Sequence, residues 1–215
     1  MDTGSVDIYV VFDLFLLLLI GIGPKIALVP FLEMTAGMDA ATKSRVARKM
    51  ITTAAVVGLI LILVGEILRK LLHFSTGALS IAGGIVLLVI ALGMIRGPAD
   101  AEEAHYGGAG KDPMQLAVFP LAVPYLLNPA GIVALVTASG DATSVRLIAA
   151  VIGVLAVVIA LDAVVFRWAN RVSEHLDASR MLVTEKVFGF LLAALAVQLA
   201  LNGLHDVGVI HLAAH

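Results

Sequence analysis

Six long apolar stretches dominate the sequence and limit what the chain can fold into. They cover residues 8–34, 51–68, 78–95, 114–137, 147–166 and 187–204. A helix needs roughly 20 apolar residues to cross about 30 Å of hydrocarbon, so each stretch can form one membrane span. The chain is 60% apolar and 14% charged, against about 45–50% and about 25% in soluble domains. This composition excludes a soluble domain, and also disorder, which requires low hydrophobicity.

Several kinds of chemistry are excluded by residue types that are missing. The chain has no cysteine, which rules out disulfides, thiolate metal sites and thiol redox reactions. His205, Asp206, His211 and His215 form a polar tail, but nothing fixes their geometry, so we expect no metal there. No His-Glu-x-x-His motif is present, and we expect neither a cofactor nor an enzyme.

The distribution of lysine and arginine predicts the orientation in the membrane. Alternate loops carry ten of these residues against three, and the richest loop, residues 35–50, carries four. By the positive-inside rule, both termini should face outward from the cell inner (plasma) membrane. Trp168, next to Arg167, suits an anchor at the inner interface. The first stretch is too long for a cleaved signal peptide, and no Lys or Arg precedes Lys25.

The two halves of the chain resemble one another. Gly23-Pro24 in the first span echoes Asn128-Pro129 in the fourth, and Gly83 corresponds to Gly189, at offsets of 105 and 106 residues. Chance similarity between Leu-, Val- and Ala-rich segments is the alternative explanation. A repeated unit with three spans, an odd number, must sit inverted relative to its copy.

We therefore predict an all-α polytopic membrane protein with six transmembrane helices in a 3+3 inverted-topology repeat. Residues 1–96 would form the first repeat, residues 97–113 a cytoplasmic linker, and residues 114–215 the second repeat. Secondary transporters commonly have this architecture.

Proline is expected to break the first and fourth helices near their middle. Pro24 lacks an N–H and its ring clashes with the carbonyl of Ile20, while neighbouring glycines relax the backbone. Pro120, Pro124 and Pro129 interrupt the fourth span in the same way. Asn128 suits the N-cap of a new half-helix that starts at Pro129.

The two breaks predict a binding site. Half-helix N-termini that converge near the midplane would each offer free N–H groups and about half a positive charge, which suits a carboxylate or another anion. A proline kink that only shapes helix packing is the alternative. The residues expected to bind the substrate are Gly21, Gly23, Pro24, Lys25, Asn128, Pro129, Ala130 and Gly131.

Charged side chains inside the spans are the other informative residues. A lysine in mid-span costs about 2.5–3.5 kcal/mol, so Lys25 should lie near a bound anion or an acid, unless it snorkels to the interface. Glu66 and Asp162 are the candidates for proton coupling. Arg69, three residues after Glu66, offers a simple helical ion pair as the competing explanation.

Small residues predict close helix packing in the third and sixth spans. These are Ala78, Ser80, Ala82, Gly83 and Gly84 in the third span, and Gly189, Ala193 and Ala196 in the sixth.

Four segments resemble the MarC family of six-span integral membrane proteins. They are Leu-Val-Pro-Phe-Leu-Glu-Met-Thr (28–35), Ser-Ile-Ala-Gly-Gly-Ile-Val-Leu-Leu (80–88), Phe-Pro-Leu-Ala-Val-Pro (119–124) and Gly-Phe-Leu-Leu-Ala-Ala-Leu-Ala-Val-Gln (189–198). The resemblance implies a 3+3 inverted repeat related to LysE-type exporters, and transport of neutral amino acids such as glycine and alanine. The family usually has Asn-Pro in the first span and Gly-Pro-Gly-Ala in the fourth. Here these positions read Gly23-Pro24-Lys25 and Asn128-Pro129-Ala130-Gly131, and the added lysine favours a net anion.

The sequence thus predicts a secondary transporter that moves a small carboxylate-bearing solute by alternating access, with glycine or alanine as the first expectation. The alternatives are a transporter of a net anion, either an organic acid or a phosphate-headed lipid carrier, and a non-transport structural membrane subunit. A channel is less favoured, because Asn128-Pro129-Ala130 matches the aquaporin triplet but has no counterpart in the first half. We expect a small-molecule substrate and the lipid bilayer as partners and no nucleic acid, and leave a homo-oligomer open.

Overall fold

Helices form the regular structure throughout the part of the chain that is described. The computed structural model describes residues 8–96, 112–142, 144–172 and 178–211. The helices are Ile8–Gly21 (α1), Pro24–Met34 (α2), Ala40–Leu72 (α3), Thr76–Arg96 (α4), Pro113–Leu116 (α5), Pro129–Asp141 (α6), Val145–Val172 (α7) and Ala178–Asp206 (α8). For these residues the predicted all-α class is confirmed. The predicted linker, residues 97–113, lies almost wholly outside the described ranges.

Four of the described helices are long and apolar enough to cross a membrane. They are Ala40–Leu72, Thr76–Arg96, Val145–Ala169 and Lys186–Asp206, within α3, α4, α7 and α8. Shorter apolar helices, Val11–Gly21, Pro113–Leu126 and Pro129–Gly140, occupy much of the predicted first and fourth spans. The chain is therefore a multi-pass membrane protein in which four of the predicted spans are single long helices.

Both predicted helix breaks are confirmed. α1 ends at Gly21 and α2 begins at Pro24, with Gly23 as an N-cap in extended conformation. In the second half, α5 continues into Ala117–Leu126, a kinked stretch that we call the proline segment. Its backbone is extended at Phe119 and Val123, because each precedes a proline whose ring disfavours helical geometry in the residue before it. α6 then starts afresh at Pro129.

The loop predicted over residues 35–50 is mostly helix, so this prediction was wrong. α3 begins at Ala40, and its N-cap residue Asp39 accepts hydrogen bonds from the N–H groups of Ala41 and Thr42, both at 3.0 Å. The polar first turns of α3 escaped notice because hydropathy marks only the apolar part of a helix. The other three long helices likewise extend past the ends of their apolar stretches.

α4 and α8 pack antiparallel with their backbones in contact. A Cβ atom on Gly84 would lie 2.7 Å from the carbonyl oxygen of Ala196, and one on Gly203 would lie 2.6 Å from that of Gly77. On the same face, a Cβ on Gly189 would lie 3.2 Å from the carbonyl oxygen of Ala91. Small residues therefore permit this close approach, as predicted.

Not every predicted small residue takes part in that contact. Ala78 and Ala82 are exposed, so assigning them to the packing face was wrong. Gly83 turns toward α6 as well, since a Cβ there would lie 3.3 Å from Val133 and 3.5 Å from Pro129.

The larger apolar core lies between α1, α2, α3, the proline segment, α6 and α7. Its largest fully buried side chains are Leu18, Ile22, Phe31, Met50, Leu121, Leu126, Leu127, Leu135 and Phe166. Ile22 and Leu127 belong to the two helix breaks, which places both breaks inside this core.

Candidate functional site

The two helix breaks contact each other directly. Ile22 and Leu127 pair as a short antiparallel bridge, and the backbone N–H of Asn128 donates to the carbonyl oxygen of Gly21 at 3.0 Å. These groups are free to pair because each lies where its own helix is interrupted.

The Asn128 side chain serves both breaks at once. Its Oδ1 accepts from the N–H of Gly131 at 3.1 Å, which caps α6, and its Nδ2 donates to the carbonyl oxygen of Ile20 at 3.1 Å. The residue is fully buried. The predicted N-cap role is therefore confirmed, and the same amide also binds the last turn of α1.

Two glycines allow the breaks to approach. A Cβ atom on Gly21 would overlap the backbone of Gly131, and one on Gly131 would overlap the carbonyl of Gly21. A Cβ on Gly23 would overlap the carbonyl oxygen of Leu19. Glycine is thus required at these positions, because a side chain would collide with the neighbouring backbone.

The structure brings several of the predicted substrate-binding residues together at this contact. Gly21, Asn128, Ala130 and Gly131 lie around it, while Gly23 and Pro24 open α2 and Pro129 opens α6. Lys25 is the second residue of α2, but its side chain lies outside what the structure describes. Sequence reasoning missed Ile20, Ile22 and Leu127, which contribute mainly through backbone groups and so leave no residue-type signal.

The two helices that begin at the breaks, α2 and α6, differ in how the N–H groups of their first turns are bonded. Asn128 caps α6, whereas Gly23 supplies no side-chain acceptor to the first turn of α2. Pro24 has no N–H, so the first amide donors of α2 belong to Lys25 and Ile26. The first turn of α2 therefore has backbone N–H groups that no capping side chain accepts from. In the first turn of α6, the side chain of Asn128 accepts from the N–H of Gly131.

Glu66 is held in an ion pair on α3. Its Oε1 lies 2.7 Å from a terminal nitrogen of Arg69 and 3.3 Å from Nζ of Lys70, and its Oε2 accepts from Nε of Arg69 at 2.7 Å. The carboxylate lies beside Gly140 at the far end of α6 from Asn128, since a Cβ on Gly140 would be 2.6 Å from Oε2. The helical ion pair considered for Glu66 is thus present.

Asp162 on α7 differs from Glu66 in its burial and in its bonding. It is fully buried, and within the described part of the chain neither carboxylate oxygen has a hydrogen-bond partner. Its helix face also carries Val158 and Phe166, one turn away on either side and both fully buried. An ionised carboxylate without a partner is costly in such surroundings, so this group requires a proton or a cation.

Two contacts indicate the level of Asp162 relative to the first span. Leu14 on α1 and Val151 on α7 line one cavity, and further along the chain the rings of Phe31 on α2 and Phe166 on α7 meet edge-to-face, 5.2 Å between centroids. The first span and α7 therefore run parallel. One turn before Phe166 is Asp162, and one turn before Phe31 is the first turn of α2.

Cavities lie between the described helices, and three of them can be compared with the position of this contact. One of about 350 Å³ between α1, α6 and α7 includes Asp13 and Thr137, and an apolar one of about 170 Å³ lies beside Ile20 and Phe188. The third, about 610 Å³, lies between α3 and α7. Ile20 is the residue of the break contact that lines one of these three cavities, and the contact between Gly21 and Gly131 leaves no room for a solute between them.

Comparison with known proteins agrees with the sequence motifs. The profile of the MarC family integral membrane proteins matches residues 8–207. The chain is similar to an UPF0056 membrane protein of Methanocaldococcus jannaschii, 29% identical over 180 residues, or 81% of this chain and 85% of the relative. A UPF0056 membrane protein of Bacillus subtilis is 28% identical over 81% of this chain and 84% of its own.

A third relative extends the match over more of the chain. The UPF0056 membrane protein YhcE of Escherichia coli is 26% identical over 207 residues, which is 94% of either chain. No solved structure matches the sequence. With a family profile that covers both helix breaks and all four long helices, this chain belongs to the MarC family of integral membrane proteins.

Proposed function

We propose that this protein is a secondary transporter of a small carboxylate-bearing solute, with glycine and alanine as the first substrates to test. The observation that carries the proposal is the direct contact of two broken helices through Asn128 inside the apolar core. Broken backbone at membrane depth is tolerated where it is buried in protein or lines a cavity, and in transporters it commonly forms the substrate site.

The order of elements supports a 3+3 inverted repeat. Each half consists of a broken helix followed by two long ones: α1 and α2 before α3 and α4, then α5 to α6 before α7 and α8. In such a repeat one half rocks against the other, and the site is exposed to each side in turn. The contact between Gly21 and Gly131 would have to part in order to admit a solute.

The start of α2 is the proposed site for the substrate carboxylate. The N–H groups of Lys25 and Ile26 are available there, because Gly23 provides no side-chain cap, and the helix dipole favours an anion at this end. The backbone carbonyl groups around the break could accept hydrogen bonds from a substrate ammonium group. This combination suits an amino acid.

Asp162 is the proposed proton site, at the height of that first turn. When the Asp162 carboxyl is protonated, a substrate carboxylate can approach without like-charge repulsion, so proton and solute would bind together. Glu66 is the weaker candidate, since Arg69 and Lys70 already hold its charge.

A net anion is the second candidate substrate. The sequence places Lys25 at the second position of α2, where a cation adds to the positive end of the helix dipole. An organic acid without an ammonium group would then bind better than glycine.

Uptake into proteoliposomes tests both candidates. Purified protein should accumulate labelled glycine or alanine above the level of empty vesicles, and more strongly under an inward proton gradient. Accumulation of a labelled organic acid without either amino acid would select the second candidate. If folded, reconstituted protein takes up none of these solutes, the transport proposal is wrong and a structural role in the membrane replaces it.

A further inference from the structure

The cavity of about 610 Å³ between α3 and α7 has no role in the proposed transport reaction. It is lined by Ala40, Ser44, Ala47, Arg48, Ile51, Thr52, Ala163, Phe166 and Arg167. The α3 residues recur every three or four positions, so they form one continuous face of that helix. Two long helices, α3 and α7, therefore build the walls.

Two guanidinium groups on these walls have no partner in the described structure. Arg48 comes from α3 and Arg167 from α7, and neither side chain takes part in an ion pair or hydrogen bond among the described residues. Among the described residues, the lining includes no carboxylate. Asp162, one residue before Ala163, is fully buried and is not among these lining residues. The cavity thus concentrates positive charge, with hydroxyl groups of Ser44 and Thr52 beside it.

The cavity lies where the apolar part of each helix meets its polar end. Arg48 precedes Ile51, the first residue of an apolar stretch, by three positions, and Arg167 directly follows Phe166, the last residue of another. Trp168, 64% exposed, is next in the chain and suits the membrane interface. The lining thus combines two charged side chains with the apolar side chains of Ile51 and Phe166, and this combination matches a molecule with a charged head and hydrocarbon chains.

We propose that this cavity binds a phosphate group, presented as the head group of an anionic phospholipid. Guanidinium groups bind phosphate oxygens through paired, charge-assisted hydrogen bonds. Basic pockets between membrane-spanning helices, near the polar ends of the spans, suit anionic lipid head groups. The volume exceeds what a free phosphate would fill, and the apolar wall would remain in contact with the lipid chains.

Thermal stability of the detergent-purified full chain provides the test. Dioleoylphosphatidylglycerol should raise the melting temperature in a saturable manner, and dioleoylphosphatidylcholine should not. Arg48→Gln and Arg167→Gln should each weaken the lipid dependence about tenfold, as expected for the loss of one charge-assisted contact. The matched controls Lys49→Gln and Arg146→Gln remove the same charge from α3 and α7 without touching the cavity, and should bind as wild type does.

Inorganic phosphate distinguishes the two sources of the anion. If it stabilises wild type as well as the lipid does, and the two arginine variants lose this effect, the phosphate site stands but the lipid assignment is overturned. If both arginine variants keep the full response to phosphatidylglycerol, or if the controls lose it equally, the site itself is overturned. Arg48→Lys and Arg167→Lys keep the charge and should retain part of the response, which separates loss of binding from misfolding.

Discussion

The side-chain amide of Asn128 donates a hydrogen bond to the carbonyl oxygen of Ile20, 108 residues earlier in the chain, at 3.1 Å. Asn128 is fully buried, and the same side chain caps α6. One residue therefore joins the two broken helices and sets their relative position.

Replacing Asn128 by alanine should destabilise the protein by about 1–3 kcal/mol, because it removes a cap and leaves buried polar groups unpaired. The measurement is denaturant unfolding in detergent micelles. Asn202→Ala is the matched control, since Asn202 on α8 is exposed and its side chain only accepts from Gln198. Equal stability of the two variants would contradict a structural role for the Asn128 side chain.

A methyl group at Gly131 should disrupt the contact between the breaks. Gly131→Ala places its Cβ against the carbonyl of Gly21, so we expect a lower melting temperature and loss of transport. Gly153→Ala and Gly93→Ala are controls inside helices where nothing lies within 4 Å of the new atom. Both controls should be neutral or slightly stabilising, because alanine favours helix by about 1 kcal/mol over glycine. A Gly131→Ala protein as stable as these controls would show that the breaks are not in close contact.

Removing the ionisable group of Asp162 should make the rate of solute transport independent of the proton gradient. Asp162→Asn keeps the shape and stays neutral at every pH, so we expect a folded protein whose solute flux no longer depends on the proton gradient. Asp13→Asn, an exposed acid on α1, should keep the wild-type pH profile. An unchanged pH profile in Asp162→Asn would exclude this residue as the proton site, whatever the substrate.

The N-cap of α3 should respond to acid. The hydrogen bond from the Thr42 hydroxyl, followed by that from its backbone N–H, lowers the pKa of Asp39 from its ordinary value of 3.8. A lowered folded-state pKa contributes stability that is present above the unfolded value and is lost as pH falls through the folded one. Hydrogen exchange at Ala41 and Thr42, corrected for intrinsic rates, should therefore show increasing fraying of the first turn as the pH falls below the ordinary carboxyl pKa of 3.8. Asp39→Asn keeps a cap without the charge and should show no such acid transition.

Much of the helical layout could be predicted from local chemistry. Proline removes a donor and clashes with the preceding turn, so the breaks before Pro24 and Pro129 follow from sequence. Asn128, directly before Pro129, predicts an N-cap for the helix that begins at Pro129. The start of α3 at Ala40 was missed because its first turns are polar, although Asp39 is a good N-cap residue.

The difference between the two acids could not be predicted. Glu66 and Asp162 are each lone carboxylates within an apolar stretch, and hydropathy treats them alike. Arg69 and Lys70 satisfy Glu66 from the next turn of the same helix, which sequence spacing can reveal. The isolation of Asp162 depends on which face of α7 meets the core, and that is decided by tertiary packing.

The backbone contacts between α4 and α8 recur at Gly77, Gly84 and Ala91, seven residues apart, or about 10.5 Å along the helix axis. A small axial slip would drive the carbonyl oxygens of one helix into the side chains of the other, and the next matching register is a full two turns away. The packing of α4 against α8 therefore resists sliding of one helix along the other. Because α4 belongs to the first half of the chain and α8 to the second, the proposed rocking of one half against the other would have to pivot at this contact and could not slide along it.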